Sequence, residues 1–163
     1  ASVGDDLRTL ALGTWERFLG AFAARQACFG DVRLRASTAL ASQASYDPAT
    51  ATVTVRVPGT AAVLRGALVH EWAHHVEFQC PAQAALRPAF LAAQGLPPGA
   101  PWRPAATPAD PSAGQWAEIP SEQYAEAVVL LVLGSDALPS RARLSPEAIA
   151  TIARWLEGEE RQD

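Results

Sequence analysis

The chain has 163 residues, 49% hydrophobic and 18% charged, so it fits one domain (1–163) with a real core and is not globally disordered. Its formal charge of −4 argues against a nucleic-acid surface, which needs a basic face. No apolar run reaches the ~18 residues of a membrane span; the longest, Ala127 to Leu133, is far shorter.

Leu7, Leu10, Ala11, Trp15, Phe18, Leu19 and Phe22 recur at helical spacing and predict a first helix from about Asp5 to Ala27. Asp5 or Asp6 is positioned to cap it, and Gly30 follows its end. Val32, Leu34 and Ala36 alternate as in a short strand over 31–36. Tyr46-Asp47-Pro48 reads as a turn, and the β-branched alternation of Ala51 to Val57 as the clearest strand, closed by Pro58-Gly59. A second helix follows from an N-cap at Thr60 to about Gln79. Residues 81–94 read as helical, interrupted at Pro88. The stretch 95–120 holds seven of the 13 prolines and reads as a long loop, a feature that is usually functional. A helix then starts at an N-cap at Ser121 and stops at Gly134. A last one opens with Ser145-Pro146-Glu147 and ends at Gly158.

All three histidines lie within Val69 to Val76, and two belong to His70-Glu71-Trp72-Ala73-His74. In this H-E-x-x-H pattern residues four apart share a helix face, so two imidazoles can converge on one metal ion. Zn²⁺ suits two His nitrogens and leaves room for a third ligand and a water. Glu71 sits about 100° round the helix from His70, where it can act as general base on that water. His75 points elsewhere and is read as a surface residue or one backing the ligands. Glu77 lies on the His70/His74 stripe but about 10 Å along the axis from His70. It is read as a solvated carboxylate or one behind the ligands.

The third ligand is sought on the next long helix. Glu122 and Glu126 are like charges at i, i+4, an unfavourable spacing that a cation or an imidazole N–H between them would reverse. Glu122 is assigned as the ligand, with Glu118 in reserve. Glu126, one turn deeper, is assigned to the free N–H of a ligand histidine. Acids favour any helix N-terminus, which would account for Glu122 alone but not for Glu126.

His70-Glu71-x-x-His74, followed by Glu122-x-x-Ala125-Glu126, resembles the gluzincin-type zinc metallopeptidases, in particular the minigluzincins and the catalytic domain of anthrax lethal factor. The resemblance covers about 51–134. It implies an α+β, zincin-like fold: a small twisted sheet, an active-site helix and a C-terminal glutamate helix. It also implies that an edge strand, for which 51–57 is a candidate, pairs with an extended peptide or protein substrate. Such enzymes use a Tyr or His to stabilise the oxyanion. Only Trp116 stands in the corresponding neighbourhood, so this residue is left unassigned among Trp102, Arg103, Tyr46 and Trp116; Tyr124 is read as core.

The chain contains no Met, which leads to the expectation of a processed product whose signal or anchor has been removed. In such an exported chain Cys28 and Cys80 invite a disulfide, the alternative being two buried thiols. The sequence thus leads to a zinc endopeptidase, secreted or extracytoplasmic, monomeric, with zinc on His70, His74 and Glu122. The competing reading is a catalytically inactive zinc-binding module on the same scaffold.

Overall fold

A computed structural model describes residues 4–104 and 113–159. In chain order the elements are α1 (Asp5–Ala21), β1 (Arg33–Ser37), β2 (Ala44–Asp47), β3 (Thr52–Arg56), α2 (Ala61–Gln79), α3 (Gln83–Ala93), α4 (Ala113–Ala117), α5 (Pro120–Leu133) and α6 (Pro146–Leu156). Short 3-10 turns span Ala23–Cys28 and Gly134–Asp136. The class is α+β, with one small mixed sheet.

Helix α1 is shorter than its periodicity predicts. The rings of Phe22 and Phe29 pack 5.7 Å apart, whereas seven residues of continuous helix would separate them by about 10 Å. The chain therefore tightens after Ala21 so that both rings enter the core. Asp5 and Asp6 do not cap α1. Gly4 holds the N-cap position without a side-chain bond, and the two acids occupy the first turn, where the helix dipole favours them. Thr60 and Ser145 do cap: their hydroxyls accept from Val63 N–H and Ala148 N–H. Ser121 does not, because Pro120 takes the first helical position and moves the N-cap to Ile119.

The sheet order is β1-β3-β2, with β1 parallel and β2 antiparallel to β3. The segment read as a turn before β3 is in fact β2, with Tyr46 opposite Val53 and Asp47 opposite Thr52. The strand spans only four residues, too few for alternation to register. Helix α3 runs through Pro88 without a break. The lost N–H costs one helical hydrogen bond but does not end the helix. Within the Pro-rich stretch α4 forms a short helix; residues 105–112 of that predicted loop lie outside the described residues.

Helix α2 is the centre of the molecule, packed on by α1, α5, β2 and β3. Leu68, Val69, Trp72, Ala73 and Val76 form one buried apolar arc, and His74, His75 and Glu77 on the other sides are buried as well. Around Trp72 gather Trp15, Phe18 and, behind them, Phe22 and Phe29, in edge-on and stacked pairs. A Cys28–Cys80 disulfide ties the 3-10 turn to the end of α2. No described helix is long and apolar enough to cross a membrane. Between Trp72 and Glu77 helix α2 is enclosed on all sides, its polar residues included. Buried polar groups need partners, and theirs define the site.

Candidate metal centre

His70 and His74 stand one turn apart on α2, with their Nε2 atoms 3.2 Å apart. From α5, Oε2 of Glu122 comes within 3.0 Å of His70 Nε2 and 3.4 Å of His74 Nε2. These three ligand atoms lie within 4.8 Å of one another. Two nitrogens at that separation can share at most one proton, and the carboxylate brings a negative charge. The donor set could hold a metal ion, and two imidazoles with one carboxylate are donor types that divalent metals accept. The fold makes this arrangement because α5 crosses α2 where Glu122, in its first turn, meets the second half of α2.

Each histidine is also held from behind. Nδ1 of His70 lies 3.0 Å from Oε1 of Glu126, whose Oε2 accepts a hydrogen bond from Ser140 Oγ at 2.5 Å. Nδ1 of His74 lies 2.9 Å from Oε2 of Glu77. These contacts place a proton on Nδ1 and turn Nε2 toward the ligand cluster.

Glu77 is a correction to the sequence reading of a solvated carboxylate. It is buried, and besides His74 it accepts from Trp102 Nε1 at 2.9 Å and from Arg103 Nε and Nη2 at 2.8 and 2.7 Å. Arg103 Nη2 also lies 2.8 Å from His74 Nδ1; since a guanidinium only donates, the acceptor for both groups is Glu77. The signal was present in the sequence as the i, i+3 step from His74 to Glu77. Measured from His70, Glu77 is far away; measured from His74, it is one turn away.

The electrostatics follow from this crowding. Burial opposes charge on His70, but the Glu122 and Glu126 carboxylates outweigh it and raise its pKa to about 10. His74 is raised for the same reason, by Glu122 and Glu77. Burial pushes the carboxyl of Glu77 up, but His74 and Arg103 outweigh it and bring it down to about 2. Glu122 and Glu126 are likewise held low against burial by the histidines. Without a metal the cluster keeps its protons on the imidazoles; a metal ion must displace them.

Glu71, His70, His74, Glu122, Arg103 and Trp116 face a cleft of about 300 Å³. Trp116 lies over His70 with ring centroids 5.8 Å apart and planes 23° apart. Ala44, Tyr46 and Pro48 line it as well, so β2 borders the cleft. This corrects the assignment of 51–57: β3 is paired on both sides, and β2 is the edge strand beside the cleft. Glu118 is exposed and is not part of the three-ligand cluster.

The remaining candidates are committed elsewhere. His75 is not on the surface: its Nε2–H donates to the Gly30 carbonyl at 2.9 Å, so its Nδ1 must accept, and does so from Tyr46 O–H at 2.9 Å. Burial lowers its pKa, which keeps the ring neutral for that role. Tyr124 is fully buried against Phe90 and Trp102, as expected of a core residue. Comparison with protein-family models, curated proteins and solved structures found no match to this chain.

Proposed function

We propose that the protein is a zinc-dependent endopeptidase. The observation that carries this reading is the convergence of His70 Nε2, His74 Nε2 and Glu122 Oε2 in a cleft that Glu71 also lines. A zinc ion held by those three residues would supply Lewis-acid polarisation of a peptide carbonyl and acidify a water molecule. Glu71 takes the proton from the attacking water and delivers it to the departing amine nitrogen. Glu126 and Glu77 hold the two imidazoles in the tautomer that presents Nε2. The free edge of β2 offers backbone N–H and C=O groups to an extended peptide, which then lies across the cleft. The Cys28–Cys80 disulfide favours an oxidising, extracytoplasmic setting for this activity.

The test pairs metal analysis with cleavage of a quenched fluorescent peptide library. Wild type is expected to bind one zinc and to cleave. Glu71→Gln is expected to keep the zinc and lose about 10²–10⁴-fold in rate, the usual share of a general base. A zinc-loaded wild type that cleaves nothing, behaving like Glu71→Gln, would replace this reading with that of a zinc-binding module.

A further inference from the structure

We infer that Arg103 is the residue that stabilises the oxyanion, through its Nη1; the inference rests on the peptidase reading of the cleft. The guanidinium is fixed before any substrate arrives. Glu77 takes bonds from Nε and Nη2 in a two-pronged clamp, and the Phe78 ring lies under Cζ at 5.0 Å. That clamp occupies two of the three nitrogens. The third, Nη1, makes no hydrogen bond among the described residues. It lies on the ligand side, 3.8 Å from Oε1 of Glu122, too far for a bond to that carboxylate. The side chain is 39% exposed and faces the cleft. A rigid cation thus presents an unused pair of N–H groups beside the three metal-ligand atoms.

Of the other candidates Tyr46 and Trp102 are spent, and the indole of Trp116 is stacked on His70. The O–H of Tyr46 is given to His75, because Nε2–H of that ring is bound to Gly30. The indole N–H of Trp102 is given to Glu77, and Tyr124 is fully enclosed. Among the described residues that line the cleft Arg103 alone carries a permanent positive charge, against the carboxylates of Glu71 and Glu122. As water attacks, its proton passes to Glu71, the new C–O bond forms, and the carbonyl π pair moves onto oxygen. Nη1–H donates to that oxygen. On collapse the C=O reforms, the C–N bond breaks, and the proton on Glu71 goes to the nitrogen. Donors fixed ahead of the charge they meet need no reorganisation, which is the source of their effect.

Arg103→Met removes the donor but leaves Glu77 unpaired, so it is read beside Arg103→Lys and beside the double variant Glu77→Gln/Arg103→Met, compared with Glu77→Gln alone. Zinc stoichiometry is measured for each. The expected result in Arg103→Met is a fall in kcat of about 10²–10³-fold with KM changed less than about threefold, and partial recovery in Arg103→Lys. A second readout does not depend on turnover: titration of the zinc-loaded proteins with a phosphinic tripeptide, whose tetrahedral oxygens imitate the oxyanion. Its affinity is expected to fall about 100-fold in Arg103→Met and to hold in Trp116→Phe, in line with the loss of one such donor. Unchanged affinity in Arg103→Met, or the loss appearing in Trp116→Phe instead, overturns the assignment. If wild type cleaves no peptide, the peptidase reading fails, and the phosphinic titration still decides whether Arg103 is the oxyanion donor.

Discussion

The two histidines of α2 meet at one point but are held there in different ways. His70 is fixed from a different helix, by Glu126 on α5, and among the described residues only Ser140 stands behind that carboxylate. His74 is fixed by its own helix, through Glu77, and Glu77 is gripped in turn by Trp102 and Arg103. The first support is a simple bridge between two rigid helices. The second is a saturated node in which one carboxylate takes four donors. The first can adjust to the loss of a charge and the second cannot, because every position around Glu77 is already a donor.

The largest expected effect tests whether the two sides share one site at all. Glu122 is the carboxylate common to both, within 3.4 Å of each Nε2. Glu122→Ala should weaken zinc binding more than about 10³-fold, since a two-ligand remnant does not hold the ion. Competition with a chromogenic chelator measures it. Retained tight binding would mean that the two histidines serve separate purposes.

Next in size is the acid stability of the saturated node. Glu77 has a folded pKa of about 2 against an ordinary value of 4.5. Its folded pKa is lowered, so its contribution is present above pH 4.5 and is lost as pH falls toward about 2. The shift corresponds to about 3 kcal/mol, and the side chain is buried enough to keep it. In metal-free protein, Glu77→Gln should therefore be less stable than wild type by about 3 kcal/mol near neutral pH, and the gap should close in acid. Denaturant titrations at several pH values measure this. A gap independent of pH would show that the node is held by shape and not by charge.

The bridge side was legible in the sequence and the node was not, for a physical reason. Glu122 and Glu126 announce themselves as like charges four apart in an apolar helix, a pattern that needs something positive opposite. His70 and His74 supply it one turn apart. The capping signals at Thr60 and Ser145 and the β3 alternation belong to the same kind of local information, and the structure has each of them. The node depends on Trp102 and Arg103, which arrive through a Pro-rich stretch with no periodicity. Nothing local ties them to a glutamate 25 and 26 residues earlier. Strand β2 escaped in the same way, being four residues long and preceding a Pro that reads as a turn. The shortening of α1 was hidden too, because the force that bends the chain is the packing of Phe29 on Phe22, a contact no helical pattern records.

The smallest effect is the sharpest test of the difference. Replacing Glu126 or Glu77 by Gln keeps size and one acceptor oxygen but turns the other oxygen into a donor. At Glu126 the amide oxygen can still accept from His70 Nδ1–H, and the new NH₂ faces Ser140 Oγ, a hydroxyl that can rotate and accept. At Glu77 one oxygen faces Trp102 Nε1–H and Arg103 Nε–H, and the other faces His74 Nδ1–H and Arg103 Nη2–H. Whichever way a Gln turns there, its NH₂ opposes donors, and one buried donor loses its acceptor. Carboxylates behind a metal-binding histidine are worth about 10–100-fold in affinity. Glu77→Gln should fall near the upper end of that range and Glu126→Gln near the lower, about tenfold. Zinc competition titrations on the two variants at one pH give the ratio directly. Equal losses would mean that the donors around Glu77 relax as freely as a serine hydroxyl, and that the two histidines are held alike.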